Sequence, residues 1–314
     1  MTPTILIVGA TGNTGKSVVR NLSRLLQSQN SKYRILGLTR SLNSTTSQEL
    51  AKLPQVEMQE IDWTTIEAAW LKEQDVVKAY IAPHNLPQQF VDESAFFIAL
   101  LQAKVKYVVK LSTSVNAISP TSPVIYGRSH WAVENLLSQP EFKNLQWTSL
   151  QPNIFTSHFL APAVEWIKQY KKTENQETLN IYLDADTPAA MIDPEDVGNV
   201  AAHLLALEDP TSHNQAKYVL AGPEDVNGKQ IVKAVENLTE VKVQKVVYKS
   251  TGVFEELIAS GAFPKNSATS FLAALESLWQ GELSLSNSPN SKEINELAPP
   301  KRTIDDALKA MLEE

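Results

Sequence analysis

Apolar, strand-like runs alternate with helix-like stretches through the first half of the chain. The strand-like runs are Ile5–Val8, Arg34–Leu38, Val56–Ile61, Val76–Ala82, Tyr107–Leu111 and Gln146–Leu150. The helix-like stretches are Gly15–Gln27, Ser47–Leu53, Ile66–Leu71, Gln89–Ala103 and Ser129–Leu137. Strands that alternate with helices pair in parallel, because each crossover helix returns the chain to the same edge of the sheet. The sequence therefore predicts an α/β fold with a doubly wound parallel sheet.

The second half of the chain is less regular and contains one well-marked helix. Asp193 is a natural N-cap and Pro194 suits a first turn, so the pattern predicts a helix that continues through Val197–Leu207. The segment Gly281–Pro300 is rich in Ser, Asn and Pro and is expected to be irregular. A short helix is predicted from Thr303 to the end of the chain.

The first strand leads into the segment TILIVGATGNTGKSVV, which fits two phosphate-binding patterns. One is a permissive Walker A loop, AxxxxGKS, in which Lys16 would reach the terminal phosphates. An enzyme of that class also needs an acidic residue after a neighbouring strand to hold magnesium. The strands that end at Ala82 and Leu111 carry none, so only Asp62 and Asp184 keep this alternative open.

The other pattern is GxxGxxG, which is typical of dinucleotide-binding folds and is the interpretation we favour. Gly9 would allow a tight turn after the strand, Gly12 would let a pyrophosphate approach, and Gly15 would let the next helix pack closely. The N-terminus of that helix would face the phosphates with the positive end of its dipole. We expect Lys16 and Ser17 to face solvent on the first turns of the helix.

The end of the second strand bears on the choice of cofactor. A site that prefers NAD normally offers Asp or Glu about 20 residues after the glycines, to accept hydrogen bonds from the ribose. Here the strand ends in RILGLTRS, which places Arg40 and Ser41 at that point. A guanidinium cannot accept a hydrogen bond but pairs well with a phosphate. The sequence therefore predicts NADP, with a solvated surface arginine as the alternative explanation of Arg40.

Composition excludes several other classes of function. The net charge is −7 and no run of Lys and Arg stands out, so we expect no direct binding to nucleic acid. The chain has no cysteine for a disulfide, metal site or thiol nucleophile, and its 5 histidines lack metal-ligand spacing. The first strand begins within a few residues of Met1, and no apolar run reaches about 20 residues. We therefore expect a cytoplasmic protein with neither signal peptide nor membrane span, and no metal.

Several segments of the chain resemble those of one family. They are GATGNTG, LTRS, VVKLSTS, HWAVENLL, WTSLQPNIF, MIDPEDVGNVAAHLL and YVLAGPE. On these motifs the chain resembles the NmrA-like branch of atypical short-chain dehydrogenases/reductases, from the glycine loop to the C-terminus. The resemblance implies an NADP-binding Rossmann domain over residues 1–155, with a later contribution from about 190–222. A smaller C-terminal lobe over 156–314 would cover the substrate cleft.

The resemblance also implies which residues contact the cofactor. The pyrophosphate would contact Gly9, Thr11, Gly12, Asn13, Thr14 and Gly15. The adenosine end would contact Arg40, Ser41, Asp62 and Trp63. The nicotinamide end would contact Ala82, Pro83, His130, Pro152, Asn153 and Phe155. The family commonly has Arg where this chain has Gln151, which weakens any expectation of an ionic contact there.

The stretch YGRSH bears on catalysis. Typical short-chain dehydrogenases have Tyr-x-x-x-Lys at the start of a helix, where the tyrosine donates a proton as hydride arrives. This chain has Tyr126 and His130 at that spacing, while NmrA-like relatives often have Lys at the second position and lack the tyrosine. We expect His130, as a protonated acid, to matter more than Tyr126 in a loop before the helix, although either could be the donor. Thr113 and Ser114 end the fifth strand, where the parent superfamily keeps a hydroxyl that orients substrate.

Two classes of function fit these patterns. The first is an NADPH-dependent reductase of a small aromatic or natural-product carbonyl, quinone, imine or enone. The second is an NADP-binding redox sensor that regulates a protein partner without catalysis. An isomerase or lyase that uses the same cleft is a third alternative. The fold cannot choose between these functions, because function depends on the site. In the site, the presence of both Tyr126 and His130 favours the enzyme.

Overall fold

The computed structural model describes residues 2–260 and 265–313. Its strands are β1 Thr4–Val8, β2 Arg34–Thr39, β3 Val56–Glu60, β4 Val76–Ile81, β5 Tyr107–Leu111, β6 Gln146–Pro152, β7 Leu179–Asn180, β8 Ala216–Leu220 and β9 Val246–Val247. Seven of them form one parallel sheet in the order β3–β2–β1–β4–β5–β6–β8, and β7 pairs with β9. The predicted doubly wound α/β fold is confirmed.

The helices follow the predicted alternation and continue into the second half. They are α1 Gly15–Ser28, α2 Thr45–Leu50, α3 Ala68–Glu73, α4 Gln89–Ala103, α5 Ile125–Leu137, α6 Thr156–Phe159, α7 Ala161–Thr173, α8 Pro194–Ala206, α9 Gly228–Thr239, α10 Gly252–Ala259, α11 Lys265–Trp279, α12 Lys292–Leu297 and α13 Ile304–Glu313. The predicted cap of α8 is confirmed, since the Glu195 amide donates to Asp193 Oδ1 at 2.8 Å. Across the described ranges, no helix combines the length and apolarity that a membrane crossing needs.

The strand order reverses at β1, which lies between β2 and β4. The chain winds outward from β1 through β2 and β3, and then in the other direction from β4. Open α/β sheets bind ligands outside the carboxyl ends of the strands at such a switch point. The glycine loop follows β1 directly, so the topology places it at this point.

Helices α1 and α8 pack closely on one face of the sheet. A Cβ on Gly198 would lie 2.3 Å from Ser17 Cβ, so the contact requires glycine. The Ser17 hydroxyl is buried and donates to the Glu195 carbonyl oxygen at 2.7 Å. The expectation that Ser17 faces solvent was wrong, because a helix distant in sequence covers that side of α1.

The opposite face is covered by α4 and α5, whose buried residues include Phe96, Phe97 and Val133. A third apolar cluster lies in the C-terminal part, where α7, α9, α11 and α13 pack together. The strand β8 nevertheless belongs to the main sheet. The proposed division near residue 155 stays a prediction.

Two predictions about the helices were wrong. Helix α5 begins at Ile125 rather than near Ser129, so Tyr126 lies on the helix and not in a loop. Gly127 in its first turn is explained by packing, since a Cβ there would lie 2.1 Å from the Ala117 carbonyl oxygen. The segment predicted to be irregular contains α12.

Candidate active site

The glycine loop after β1 adopts a shape that requires glycine. Gly9 has a φ of +78°, in the left-handed region that side chains disfavour. A Cβ on Gly15 would lie 2.0 Å from the Gly9 carbonyl oxygen. The N-terminus of α1 therefore lies directly against the end of β1.

Several backbone amides of this loop have no protein acceptor. The Gly12 amide donates to the Gly9 carbonyl at 2.9 Å, whereas within residues 2–260 and 265–313 the amides of Thr11, Asn13 and Thr14 donate to no protein group. The Thr14 hydroxyl lies 2.7 Å from the Tyr80 hydroxyl and is committed to the core. Unpaired amides at a helix N-terminus favour an anion. The loop fits a pyrophosphate on these grounds.

The residues predicted for the adenosine end follow the neighbouring strands β2 and β3. Arg40 is exposed, and no acidic side chain in the described part of the chain pairs with it. Asp62 accepts hydrogen bonds from the Thr64 amide at 3.0 Å and hydroxyl at 2.8 Å, so its carboxylate holds a turn. Trp63 packs edge-on against Phe96. Contact of Arg40, Ser41, Asp62 and Trp63 with a cofactor stays a prediction.

A cleft of about 770 Å³ extends from the glycine loop along the carboxyl edge of the sheet. The predicted residues that line it are Gly9, Gly12, Asn13, Thr14, Ala82, Pro83, Thr113, Ser114, Tyr126, His130, Pro152, Asn153 and Phe155. The predicted residues outside its lining are Thr11, Gly15, Arg40, Ser41, Asp62 and Trp63. The structure thus brings the predicted pyrophosphate, nicotinamide and catalytic residues to one cleft.

The C-terminal part supplies one wall of the cleft, and the sequence did not indicate which residues form it. The wall includes Phe159, Tyr182, Phe271, Leu275 and Leu283. Phe159, Tyr182 and Phe271 add their aromatic rings to those of Tyr126 and Phe155 in the same lining. The sequence could not show this, because nothing in the residues around an aromatic side chain of the C-terminal half indicates that it will line the cleft.

Asn153 connects this wall to the end of β6. Its amide nitrogen donates to the carbonyl oxygens of Ala190 at 3.2 Å and Leu283 at 3.1 Å. Ser288 donates to its side-chain oxygen at 3.3 Å. The Asn153 side chain thus has a positioning role beside any contact it makes with a ligand.

His130 is buried in a polar pocket at the edge of the cleft. Lys110 Nζ lies 2.7 Å from His130 Nδ1, and the amide nitrogen of Gln89 lies 3.2 Å from both ring nitrogens. Burial, reinforced by the Lys110 charge, holds the pKa of His130 well below its ordinary value. A protonated His130 would place an imidazolium against the Lys110 ammonium, so this geometry disfavours the histidine as the acid, and the identity of the proton donor stays a prediction.

Tyr126 lies one turn before His130 on α5 and lines the same cleft. Its ring centroid is 6.1 Å from that of Phe271. Burial raises the pKa of Tyr126 to about 12, so the phenol keeps its proton at neutral pH. The Tyr126 hydroxyl therefore has a proton that it could donate, and the shift of its pKa is due to burial.

Ser112, the first hydroxyl after β5, is held in place by a hydrogen bond, and a role for Thr113 and Ser114 in the cleft stays a prediction. Ser112 donates to Glu134 Oε1 at 2.9 Å, and Ser149 donates to the same oxygen at 2.7 Å. Gln151, at the position where an arginine is common, donates to this carboxylate as well. Gln151 therefore has a structural partner in Glu134.

The sequence analysis missed a buried ion pair behind the cleft. Lys110 Nζ lies 3.3 Å from Glu93 Oε2, and both side chains are fully buried. A signal was available for Lys110, a charged residue within the otherwise apolar strand YVVKL, because such residues are rarely buried unless paired. Glu93 lies beside Asp92 and Ser94 and carries no such signal.

Comparisons with known proteins agree with this geometry. A sequence model of the NmrA-like family matches residues 1–306. The chain is 30% identical to the NAD(P)H azoreductase of Xenophilus azovorans over 237 aligned residues. The alignment covers 74% of this chain and 72% of the azoreductase.

Solved structures of similar fold include an enzyme and a regulator. One is the NADPH-dependent quinone oxidoreductase of Escherichia coli in complex with NADPH, with a TM-score of 0.72, 20% identity and coverage of 98% of this chain and 99% of that one. The other is the negative transcriptional regulator NmrA in complex with NADP, with a TM-score of 0.64, 16% identity and coverage of 100% and 92%. At these identities the two structures show the fold alone.

Proposed function

Since the chain belongs to the NmrA-like family, we propose that it is an NADPH-dependent reductase of a small aromatic or natural-product carbonyl, quinone, imine or enone. The observation that carries this proposal is the continuous cleft that joins the glycine loop to Tyr126 and His130. One end offers unpaired amides to a pyrophosphate, and the other offers a phenol proton beside aromatic surface. The azoreductase relative and the quinone oxidoreductase fold support the same reaction class.

Arg40 is our reason for proposing NADP rather than NAD. It follows β2 directly, where an exposed guanidinium can pair with the adenosine phosphate. The acid on the neighbouring strand, Glu60, accepts a hydrogen bond from the Leu42 amide at 3.0 Å. Its carboxylate is thereby committed to the protein, which weakens the case for a ribose acceptor at this end.

The lining of the cleft supports an uncharged, flat substrate. In the part of the lining that the structure describes, polar groups are hydroxyls, amides and imidazoles, without Asp, Glu, Lys or Arg. Burying an unpaired charge there would cost several kcal/mol. Rings such as Phe155, Phe159 and Phe271 offer stacking surface to an aromatic acceptor.

The side chains can support reduction in a specific way. NADPH, when bound, supplies a hydride, and the substrate oxygen or nitrogen then needs a proton. Tyr126 carries a proton at neutral pH and lines the cleft, so we assign the donor role to its hydroxyl. His130 stays neutral and can orient the acceptor through a ring N–H.

The redox-sensor alternative is supported by the fold shared with NmrA. The two functions differ in whether cofactor is consumed. A protein that senses NADP binds it tightly without oxidising NADPH, and needs a protein partner to transmit its occupancy.

Turnover assays separate these functions. We would incubate the protein with NADPH and a panel of uncharged quinones, enones, imines, aldehydes and azo compounds, and follow cofactor absorbance. The reductase predicts oxidation of NADPH with at least one acceptor, and loss of that activity in Tyr126→Phe. Tight NADP binding without oxidation across the panel would contradict the proposal, and conversion of a compound without net cofactor oxidation would indicate an isomerase or lyase.

A further inference from the structure

Lys110 and His130 face each other in a pocket closed to solvent. Lys110 lies on β5, and its Nζ reaches 2.7 Å from Nδ1 of His130 on α5. The same ammonium lies 3.3 Å from Glu93 Oε2 on α4, and donates to the Leu111 carbonyl oxygen at 3.2 Å. Three different elements therefore meet at one ammonium group.

The hydrogen-bond donors and acceptors of Lys110 and His130 indicate which ring nitrogen of His130 carries its proton. An ammonium only donates hydrogen bonds, so Nδ1 of His130 must accept. A neutral imidazole carries a proton on one nitrogen alone, and that proton is then on Nε2. The Gln89 amide nitrogen lies 3.2 Å from both ring nitrogens but donates to Glu93 Oε1 at 2.8 Å, so it does not need Nε2 as an acceptor. We propose that Lys110 is a positioning residue that locks His130 as the neutral Nε2–H tautomer, with Glu93 as its buried counter-ion.

A proton added to the His130 ring would be unfavourable, because burial, reinforced by the Lys110 charge, holds the pKa of His130 well below its ordinary value. Glu93 Oε2, 3.3 Å from Nζ, offers the buried ammonium an opposite charge, although burial raises the pKa of that carboxyl. On its own helix, His130 has Tyr126 one turn before it and Glu134 one turn after it. Glu134 also interacts with Lys110, and its pKa is lowered because hydrogen bonds and positive charges outweigh the effect of burial.

The consequence for the site is a fixed hydrogen-bond donor. A neutral imidazole with its N–H held in one tautomer can polarise a carbonyl oxygen without changing charge. This assigned role rests on the proposed reductase function, but the tautomer itself is a property of the resting protein. Lys110 is not itself part of the cleft lining, so it acts on the cleft through His130.

Nitrogen NMR tests the proposal without turnover. Long-range ¹H–¹⁵N spectra report which ring nitrogen carries the proton, and His130→Gln identifies the His130 signals by their loss. We expect the wild-type ring to be an Nε2–H tautomer at neutral pH. An Nδ1–H tautomer, or an imidazolium, would overturn the proposal.

A double variant removes the charges of Lys110 and Glu93 together. Lys110→Met with Glu93→Gln avoids leaving either charge buried alone. In this double variant we expect mixed tautomers and a His130 pKa raised by about one unit, a tenfold change in proton affinity. Lys217→Met removes a cation that pairs with Glu134 at 3.1 Å and should leave the His130 signals unchanged.

Two outcomes of the double variant decide the question. If it remains folded by circular dichroism and NADPH binding, and the His130 tautomer and pKa are unchanged, Lys110 does not set them and the proposal is wrong. If the variant does not fold, the wild-type tautomer still tests the assignment. A correct tautomer in a protein that oxidises no acceptor would contradict the proposed function and leave this inference intact.

Discussion

Tyr126 and His130 lie one turn apart on α5, line the same cleft, and are both held in their neutral forms by burial. Burial raises the pKa of Tyr126 to about 12 and lowers that of His130. At neutral pH the phenol therefore carries a proton to donate, whereas the imidazole has no extra one. We therefore propose Tyr126 as the donor where the sequence favoured His130, and which of the two donates stays a prediction.

Substitution of Tyr126 should remove most of the reductase activity. A positioned general acid contributes about 10²–10⁴-fold, so Tyr126→Phe should lower kcat in that range while NADPH affinity is largely retained. Tyr33→Phe is a matched control, because that ring lies outside the cleft beside Lys78. Steady-state kinetics with the best acceptor measures both, and full activity in Tyr126→Phe would remove this residue from the mechanism.

The pH dependence of kcat should be flat around neutrality. A tyrosine whose pKa is raised to about 12 stays protonated as pH rises from about 6 to about 10. A protonated histidine acid would behave in the opposite way, because a pKa lowered below about 6.5 makes activity fall before neutrality is reached. The kcat profile distinguishes the two, and a decline between about pH 5 and 7 that disappears in His130→Gln would restore the histidine as acid.

The preference for NADPH over NADH should depend on Arg40. A charge-assisted hydrogen bond to a phosphate contributes about 1.5–3 kcal/mol, so NADPH should bind roughly 10–150-fold more tightly than NADH. Arg40→Ala should abolish most of this difference, whereas Arg24→Ala, which removes an exposed arginine on α1, should not. Calorimetric titration of both cofactors gives the ratio, and equal affinities in the wild type would refute the assignment.

Replacing Gly15 should damage both the fold and cofactor binding. In Gly15→Ala the new Cβ would lie 2.0 Å from the Gly9 carbonyl oxygen, so α1 must shift away from the loop. We expect a loss of about 1–3 kcal/mol in the free energy of unfolding, with a large loss of NADPH affinity. Gly252→Ala is the control, since among the described residues no heavy atom outside its chain neighbours and its own helix backbone lies within 4 Å of its Cβ position. Denaturant unfolding measures the stability of both variants, and wild-type behaviour of Gly15→Ala would show that the loop adapts.

The sequence by itself determined the sheet, the glycine loop and the family. Strand runs such as Ile5–Val8 and the spacing of Gly9, Gly12 and Gly15 are local patterns, because periodicity and turn geometry involve residues close together in the chain. These patterns predicted one end of the cleft and the loop that we propose holds the pyrophosphate.

Tertiary structure alone decided the protonation and the far wall of the cleft. The lowered pKa of His130 follows from burial, reinforced by Lys110, which lies 20 residues away on another element. Asn153 reaches Leu283 across 130 residues. Burial of Ser17 likewise depends on α8. Desolvation and charge act through space, so a pKa or a cavity follows from which distant segments meet, and no local pattern contains that information.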